Sequence, residues 1–298
     1  MLLRVLGTAA GGGLPQWNCA CPGCAGARAH PGRRRRHASL ALRADDRRWY
    51  LVNATPDLGD QVEDSPELRP GPGPRDTPLA GVVLTDAELD HTLGLARLRE
   101  ADALEVLATP PVREALLDRL RIGAVLTPYT RLVWRELTGA AQPLTAGGGV
   151  EADAVPVSAK RPRYAAGTGP DDATWVVALR LRCTATGRTL VYAPALGHWS
   201  EEFQHAVEGA DCVLLDGTFW DDDEPVRAGI STRTATGMGH LPITGPHGTA
   251  RRLAALPARC LYTHLNNTNP LTDPGAPEHG LLARWGLHVA DDRMVIDL

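Results

Sequence analysis

The chain contains the stretch Val82-Val83-Leu84-Thr85-Asp86-Ala87-Glu88-Leu89-Asp90-His91-Thr92-Leu93-Gly94, in which an apolar run typical of a β-strand ends in acids and a histidine before a helical pattern begins. The turn between a strand and a helix is where α/β proteins expose functional groups. A capped helix N-terminus would account for Asp86 and Glu88 without a metal. It would not by itself require Asp90 and His91. The stretch therefore leaves open both a capped helix and a metal site.

Outside this stretch, short β-branched runs between Gly and Pro turns predict further strands. The predicted strands are residues 2–6, 49–52, 81–85, 104–108, 174–181, 189–193, 212–215 and 259–263. Helical spacing predicts helices at residues 90–99, 111–120, 201–207 and 249–256. Strands outnumber helices and interleave with them, which is typical of an α/β fold. Two stretches rich in Pro and Gly, 69–78 and 159–172, are predicted to be long surface loops beside the site.

A second predicted strand ends in a histidine, in the stretch Leu261-Tyr262-Thr263-His264-Leu265-Asn266-Asn267-Thr268-Asn269-Pro270. A lone histidine at such a place is usually structural. However, two strand ends from distant parts of a chain can meet at one edge of a layered fold. Asp90, His91 and His264 would then supply one carboxylate and two imidazoles to a single site.

Two further residues are candidates on weaker grounds. Asp216 lies at the end of a predicted strand, and His240 follows Gly237-Met238-Gly239 in a glycine-flanked loop. Such a loop suits a site residue that must move or approach closely, but a surface histidine explains His240 equally well. Asp216 has the same two interpretations.

Three thiols lie within six residues in the stretch Trp17-Asn18-Cys19-Ala20-Cys21-Pro22-Gly23-Cys24, which follows three glycines at 11–13. One loop with this spacing can wrap Cys19, Cys21 and Cys24 around a tetrahedral zinc and leave the fourth position to a distant residue. The alternative is three small core residues, but thiols on a Gly-rich turn have little apolar surface to pack against. We therefore predict a structural zinc in a loop at about residues 17–24. The fourth ligand stays open among His30, His37, Asn267 and the other histidines.

Composition and charge exclude several classes of protein. The 298 residues include 31 Lys and Arg against 35 Asp and Glu, a net charge of −4 spread over both halves, which argues against a general nucleic-acid binder. No apolar run approaches the roughly 20 residues of a membrane-spanning helix. Arg4 interrupts the apolar N-terminal stretch, so we expect no secretory leader and a cytoplasmic protein with reduced thiols. The sequence does not indicate the oligomeric state.

Taken together, the motifs TDAELDHTLGL, WNCACPGC, MGHLPITG and THLNNTNP resemble the metallo-β-lactamase fold superfamily and, within it, the PqqB family of pyrroloquinoline quinone (PQQ) biosynthesis proteins. The matching segments span nearly the whole chain in the same order and spacing. The resemblance implies an α/β fold of the αββα sandwich type, with two mixed β-sheets face to face, helices outside and a metal site at one edge. We accordingly expect one domain over residues 1–298.

The resemblance also shows where this sequence departs from the superfamily. The usual metal signature is His-x-His-x-Asp-His, whereas residues 86–91 read Asp-Ala-Glu-Leu-Asp-His. Residues 155–158 carry no histidine where a third ligand to the first metal is usual, and residues 192–194 lack the customary bridging aspartate. The remaining set of Asp90, His91 and His264 matches the two histidines and one carboxylate of non-haem Fe(II) oxygenases.

The PqqB resemblance implies an Fe(II)- and O2-dependent hydroxylase that acts on the tyrosine ring of a cross-linked glutamate–tyrosine intermediate derived from a precursor peptide. In this hypothesis Asp90, His91 and His264 bind Fe(II). Residues that would orient the ligands or handle protons are Asp86, Glu88, Asp216 and His240. Because the small-molecule substrate carries carboxylates, Arg99, Arg161 and Arg163 are candidates for binding it. Other enzymes of the PQQ pathway are possible partners.

Two other functions stay open. One is a metal-dependent hydrolase that cleaves a phosphodiester or another ester, although hydrolysis by a metal pair needs ligands that this sequence lacks. The other is a non-catalytic carrier that binds PQQ or its precursor and helps to move it to the periplasm. Turnover of a phosphodiester that depends on His91 would favour the hydrolase. Quinone binding that survives metal removal and His264→Ala would favour the carrier.

Overall fold

Two β-sheets form the centre of the fold in the computed structural model, which describes residues 1–298 apart from Ala173. In this described part, the first sheet contains β1 (Leu2–Gly7), β2 (Ser39–Arg43), β3 (Trp49–Val52), β4 (Leu79–Val83), β5 (Ala103–Ala108), β6 (Arg131–Glu136) and β14 (Val295–Asp297). The second sheet contains β7 (Gln142–Pro143), β8 (Val150–Ser158), β9 (Val176–Cys183), β10 (Thr189–Ala193), β11 (Cys212–Asp216), β12 (Arg259–Thr263) and β13 (His288–Val289).

The strand order brings distant parts of the sequence to one edge. The first sheet runs β14-β1-β2-β3-β4-β5-β6 and the second runs β13-β12-β11-β10-β9-β8-β7. Both sheets are mixed, with β3 to β6 parallel in the first and β10 to β13 parallel in the second. The carboxyl ends of parallel strands meet at one edge, so Asp216 at the end of β11 lies beside His264, which follows β12. The Val177 N–H donates to the Thr85 carbonyl at 2.8 Å and joins the turn after β4 to this edge.

Side chains alternate between the two faces of each strand, so the sheets contribute to two separate apolar layers. Residues of both sheets that point inward form the layer between the sheets, including Leu40, Leu42 and Val52 from the first sheet and Leu179, Leu190 and Leu214 from the second. The intervening residues of the same strands pack beneath the helices, including Leu51, Val82, Val106, Val191, Val213 and Tyr262. This architecture confirms the predicted αββα sandwich.

The helices are short and lie between strands. In the described chain they are α1 (Pro22–Ala29), α2 (Leu58–Glu63), α3 (Leu89–Thr92), α4 (Pro110–Glu114), α5 (Ile122–Leu126), α6 (Glu201–Glu208), α7 (Glu224–Arg227), α8 (Ala250–Leu253) and α9 (Pro277–Arg284). The α6 helix begins after Ser200, whose hydroxyl accepts a hydrogen bond from the Phe203 N–H at 3.1 Å.

Three of the predicted helices are wrong in their extent: the one predicted at 249–256 ends at Leu253, and the other two are interrupted. The helix predicted at 90–99 consists of α3 and a following 3-10 turn, Leu93–Leu98. Gly94 explains the break, because its N–H donates to the Ala54 carbonyl at 2.8 Å and a Cβ there would collide with the Thr55 carbonyl. The helix predicted at 111–120 becomes a π-helical turn after Glu114. A tertiary backbone contact has thus replaced helical hydrogen bonds beside the site.

The predicted strands are confirmed to within two residues at each end, but β2, β6, β7, β8, β13 and β14 were missed. The β8 strand was missed because it carries two acids and a proline. Asp153 and Glu151 of this strand pair with Arg180, at 3.1 Å, and Arg182, at 3.5 Å, on neighbouring β9. Cross-strand ion pairs therefore allow charged residues in β8, whereas the prediction looked for apolar strands.

The two predicted loops have different locations. Residues 159–172 lie beside the candidate site, since Lys160, Arg161 and Tyr164 line its cleft. Residues 69–78 lie elsewhere, against a turn where Arg47 is 3.3 Å from Asp76, so the prediction that they flank the site is wrong. Among the described helices, none is both long and apolar enough to cross a bilayer.

Candidate metal centre

Three potential ligand atoms converge at the edge where the strand ends meet. The Asp90 Oδ2 atom lies 3.6 Å from His91 Nε2 and 3.5 Å from His264 Nε2. Both Nε2 atoms are buried and have no hydrogen-bond partner among the described residues. Leaving buried polar atoms unpaired is unfavourable, so their shared orientation toward one carboxylate oxygen fits a bound cation. The structure thus brings together Asp90, His91 and His264 as the sequence predicted.

Asp86 fixes the orientation of His91. Its Oδ2 atom lies 2.7 Å from His91 Nδ1, and its Oδ1 atom accepts the Glu88 backbone N–H at 2.9 Å. Asp86 therefore stabilises the turn before α3 and holds the imidazole, but no side chain caps the N-terminus of α3, so the capped-helix interpretation of Asp86 and Glu88 is wrong. A proton on Nδ1 leaves the Nε2 lone pair free for a metal. Burial opposes the charged imidazole, but Asp86 and Asp90 raise the pKa of His91 to about 9, so a metal that binds Nε2 at neutral pH displaces a proton.

A second hydrogen-bond network holds His264. Asp216 Oδ2 lies 2.7 Å from His240 Nδ1, and Asp216 Oδ1 accepts the Thr218 hydroxyl at 2.5 Å. The Thr218 oxygen in turn lies 2.8 Å from His264 Nδ1. Because the Thr218 hydroxyl donates to Asp216, its oxygen accepts the proton of His264 Nδ1, and Nε2 again keeps its lone pair. Thr218 thus joins Asp216 and His240 to His264, and the ligand atoms of Asp216, His240 and His264 lie within 4.8 Å of one another.

The backbone at His264 is held in an unusual conformation. Its φ of +58° lies in the left-handed region, which costs a non-glycine residue roughly 1–2 kcal/mol. The neighbouring segment stabilises it, because Leu265 donates to the Thr8 carbonyl at 2.8 Å and accepts from the Ala10 N–H at 2.9 Å. Strain of this kind often persists at functional sites. Here it turns the chain out of β12 and directs the imidazole to the edge.

Burial alone would raise the pKa of Asp90, but the His91 and His264 imidazoles hold it well below its usual range. The opposite happens at His264, where burial lowers the pKa although the nearby Asp90 carboxylate opposes this. Gly11 packs against this carboxylate, since a Cβ on Gly11 would lie 3.3 Å from Asp90 Oδ2. The site therefore offers an ionised carboxylate and two imidazoles, a donor set that fits a divalent transition metal.

These groups open onto a cleft of about 940 Å³, a volume suited to a small molecule. Glu88 lies in the cleft wall, with its Oε1 atom 3.4 Å from Lys160 Nζ, rather than beside the converging ligand atoms. Of the predicted substrate-binding arginines, Arg161 and Arg163 line the cleft. Arg99 does not belong to this lining and lies 3.5 Å from Glu100, so its prediction is wrong.

The three thiols predicted to bind zinc also lie together. Cys19, Cys21 and Cys24 place their Sγ atoms within 4.8 Å of one another. Although partial burial opposes it, hydrogen bonds from Cys21 and Asn267 lower the pKa of the Cys19 thiol, whereas burial raises the pKa of Cys21 to about 11. A zinc ion at this position would favour the thiolate form of all three.

Asn267 occupies the position left for the fourth ligand. Its side-chain Nδ2 atom lies 3.0 Å from Cys19 Sγ and 3.3 Å from the Sγ atoms of Cys21 and Cys24. A rotation of the amide by 180° would present its oxygen to the thiols instead. His30 is exposed at the end of α1, and His37 Nδ1 lies 3.1 Å from Asp57 Oδ2. Asn267 is therefore the fourth-ligand candidate that the fold brings to the thiols.

Thr218 and Arg233 are among the polar residues of the cleft that sequence reasoning missed. Thr218 follows Asp216 by two residues, and a strand-end Asp-x-Thr spacing was the available signal. Arg233 lies in the cleft wall but comes from a loop without any motif of its own.

Comparison with known proteins shows the family of the chain. A family model described as a β-lactamase superfamily domain matches residues 48–265. Coenzyme PQQ synthesis protein B from Azoarcus sp. (strain BH72) is 42% identical over 309 aligned positions, covering 100% of both chains. The same protein from Cupriavidus necator is 41% identical and covers 99% of both chains. The chain belongs to the PqqB family.

Solved structures agree with this assignment. A crystal structure of Zn²⁺-bound PqqB from Methylobacterium extorquens superimposes with a TM-score of 0.90, 32% identity and 100% coverage of both chains. A diphosphatase of the PhnP family superimposes with a TM-score of 0.69 at 17% identity, which shows the shared fold alone. A metal-bound family member and the candidate clusters together support metal binding by this chain.

Proposed function

We propose that this PqqB family member acts in PQQ biosynthesis as an Fe(II)- and O2-dependent hydroxylase of the tyrosine ring in a cross-linked glutamate–tyrosine intermediate. The PQQ assignment is supported by the coenzyme PQQ synthesis proteins that match over the full chain. The reaction is supported by one observation, the convergence of two unpartnered imidazole nitrogens and one carboxylate oxygen at 3.5 and 3.6 Å. Two histidines and one carboxylate on an open site are typical of non-haem Fe(II) oxygenases.

The surroundings favour one metal here over a hydrolytic pair. Hydrolysis by two metals requires both ions to hold an oxygen between them. Asp86 lies where the superfamily has a histidine ligand, but its carboxylate contacts His91 Nδ1 at 2.7 Å. Glu88 takes the place of the other missing histidine and lies 3.4 Å from Lys160. The groups at both positions thus have partners within the protein.

In this proposal Fe(II) bound by Asp90, His91 and His264 supplies the activation of O2. The reaction converts one ring C–H to C–OH and the second oxygen atom to water, with two electrons and two protons from an external reductant. Asp86 and Thr218 keep protons on the Nδ1 atoms of His91 and His264. His240 donates its Nδ1 proton to Asp216 and lines the cleft, so its Nε2 atom can hold or release a proton beside the substrate.

A separate zinc at Cys19, Cys21 and Cys24, with Asn267 as fourth ligand, would be structural. Such sites have all four positions filled by the protein, whereas catalytic sites keep a position open. The amide of Asn267 closes the thiol cluster at 3.0–3.3 Å. We propose this role for the N-terminal loop.

The test combines metal analysis with turnover. Protein purified without oxygen is analysed for iron and zinc, then incubated with a tyrosine-derived substrate, O2 and ascorbate, and the product is examined by mass spectrometry. The proposal expects one added oxygen that comes from labelled O2 and depends on iron. Fe(II)-loaded protein that forms no oxygenated product would refute the hydroxylase.

The same preparations separate the two other functions. Cleavage of a chromogenic phosphodiester that is lost in His91→Ala would favour the hydrolase. PQQ binding that persists after metal removal and in His264→Ala, without turnover, would favour the carrier.

A further inference from the structure

The cleft wall carries more positive groups than the protein itself neutralises. Lys160, Arg161, Arg163 and Arg233 all line it. Lys160 Nζ lies 3.4 Å from Glu88 Oε1. The Arg161 guanidinium contacts the Asp171 carboxylate, donates to the Pro170 carbonyl at 2.8 Å and lies 5.4 Å from the centre of the Trp175 ring. Lys160 and Arg161 are therefore already engaged.

Arg163 and Arg233 differ from these two residues. Both are exposed, and among the described residues neither guanidinium has a carboxylate within 4.0 Å. The contact made by the Arg233 side chain is a long one, 3.5 Å from Nη1 to the Gly237 carbonyl. These arginines come from two separate loops, one after β8 and one after α7, which meet at the same cleft.

The loops that carry the two arginines are tied to the protein. Next to Arg163, the Tyr164 hydroxyl donates to the Ala87 carbonyl at 2.6 Å. On the other side, the Arg233 backbone N–H donates to Ser231 Oγ at 2.9 Å, and the Thr236 N–H donates to Asp222 Oδ1 at 2.8 Å. Each loop is thus partly ordered before a ligand binds. Binding therefore costs less conformational entropy.

The residues that line the cleft differ in charge and in exposure to solvent. Asp86 and His264 are buried in the cleft and Asp90 is half-buried, whereas Arg163 and Arg233 are exposed at its mouth. Phe219 and Met238 provide apolar surface in the wall of the same cleft. A ligand that fits this division has an aromatic ring to place deep in the cleft and anionic groups to leave near the mouth.

We propose that Arg163 and Arg233 form a clamp that selects small aromatic molecules carrying at least two carboxylates. This inference rests on the proposed function, because it assigns specificity at the same cleft. Each guanidinium binds a carboxylate through two parallel N–H donors, a geometry that lysine cannot reproduce. Both arginines are specificity residues and take no part in the proton transfers.

The test measures binding of PQQ, an aromatic tricarboxylate, to the as-purified protein by isothermal titration calorimetry. The variants are Arg163→Gln, Arg233→Gln and the double variant, and Arg99→Gln is the matched control because Arg99 lies outside the cleft lining. Each single variant should weaken binding about tenfold and the double variant about a hundredfold, with Arg99→Gln unchanged. Added salt should weaken binding to the parent more than to the double variant. Arg233→Lys should recover part of the loss.

Metal content is measured in every variant, so that an effect on PQQ binding can be distinguished from a loss of metal. Unchanged PQQ affinity in the two single variants would overturn the clamp. A parent protein that binds tyramine, which has no carboxylate, as tightly as PQQ would overturn it as well. Hydroxylation that persists beside a failed clamp would leave the proposed function standing. Arginine-dependent PQQ binding without hydroxylation would refute the hydroxylase and support the clamp.

Discussion

The thiol cluster and the carboxylate–imidazole cluster are neighbours with opposite construction. Three of the four groups at the thiol cluster come from residues 19–24 at the start of α1, and the amide of Asn267 closes the set at 3.0–3.3 Å. The carboxylate–imidazole cluster takes Asp90 and His91 from α3, after β4 of the first sheet, and His264 from the end of β12 in the second sheet. Its atoms lie 3.5–3.6 Å apart beside an open cleft. A closed site suits a structural ion, and an open site leaves room for a substrate.

The two clusters share the loop of residues 264–270. His264 opens this loop and Asn267 lies three residues later. The α1 helix packs against the loop so closely that a Cβ on Gly23 would collide with the Asn267 carbonyl. The thiol cluster thus supports the backbone that positions a ligand of the other cluster. We expect changes at the thiols to affect stability first and changes at the carboxylate to affect activity first.

Asp90→Ala should give the largest effect. We expect loss of iron and a fall in hydroxylation of more than about a hundredfold, beyond the range usual for residues that only orient ligands. Zinc content and melting temperature should stay close to those of the parent. Elemental analysis, turnover and thermal unfolding together check this. Asp60→Ala is the control, because it removes an exposed carboxylate, paired with Arg36, that is not part of the site. Loss of zinc in Asp90→Ala would contradict the separation of the two sites.

Cys21→Ser should act mainly on stability. Replacing one thiolate should release zinc and lower the melting temperature by roughly 6–12 °C, on the basis of about 3 kcal/mol lost at about 2–4 °C per kcal/mol. Calorimetry with zinc analysis measures both. The control is Cys183→Ser, because Cys183 is buried on β9, outside the thiol cluster. An unchanged zinc content in Cys21→Ser would contradict the structural zinc site proposed for the thiol cluster.

Asp86→Ala should weaken the open site without emptying it. Without the contact to His91 Nδ1, iron affinity should fall by about ten- to a hundredfold. Asp86→Asn keeps an acceptor oxygen and should recover part of this loss. Iron titration monitored by competition with a chelator gives the affinities. Equal affinities in the parent and Asp86→Ala would show that His91 needs no orienting partner.

Glu224→Gln should give the smallest effect, and it should depend on pH. Burial raises the pKa of Glu224 to about 7 from 4.5, while its carboxylate accepts hydrogen bonds from the Thr268 hydroxyl and the Trp220 N–H. The unfolded chain releases this proton at lower pH than the folded chain, so the parent loses stability as pH rises through about 7. Between about pH 5.5 and about pH 8 the parent should lose about 2 kcal/mol relative to Glu224→Gln.

Urea unfolding of both proteins at the two pH values measures this difference. A parent and variant whose stabilities change in parallel would place the titration of Glu224 in the ordinary carboxyl range. Since Thr268 belongs to the loop 264–270, the comparison also shows whether protonation near that loop stabilises it.

Sequence patterns predicted correctly those elements whose tertiary contacts do not change the local structure. The strands at 49–52, 189–193 and 259–263 have the predicted boundaries because, apart from exposed Arg259, their residues are buried on both faces and mostly apolar. The helix predicted at 90–99 was interrupted, because Gly94 bonds to the backbone of a different element. The strand at 150–158 was missed because its acids are neutralised by arginines on β9. Prediction failed where a distant residue supplied the partner.

The sequence by itself determined which chemical groups are available: three thiols on one turn, and acids and histidines at strand ends. These features depend on neighbours along the chain, so motif spacing reveals them. Only the tertiary structure decided that Asn267 faces the thiols, that Thr218 joins Asp216 to His264, and that Arg233 shares a cleft with Arg163. The physical reason is that these contacts are set by the pairing of strands and by the backbone hydrogen bonds that hold the loop 264–270 against the N-terminal segment. Such contacts join residues far apart along the chain, 248 positions for Cys19 and Asn267, and local spacing holds no signal for them.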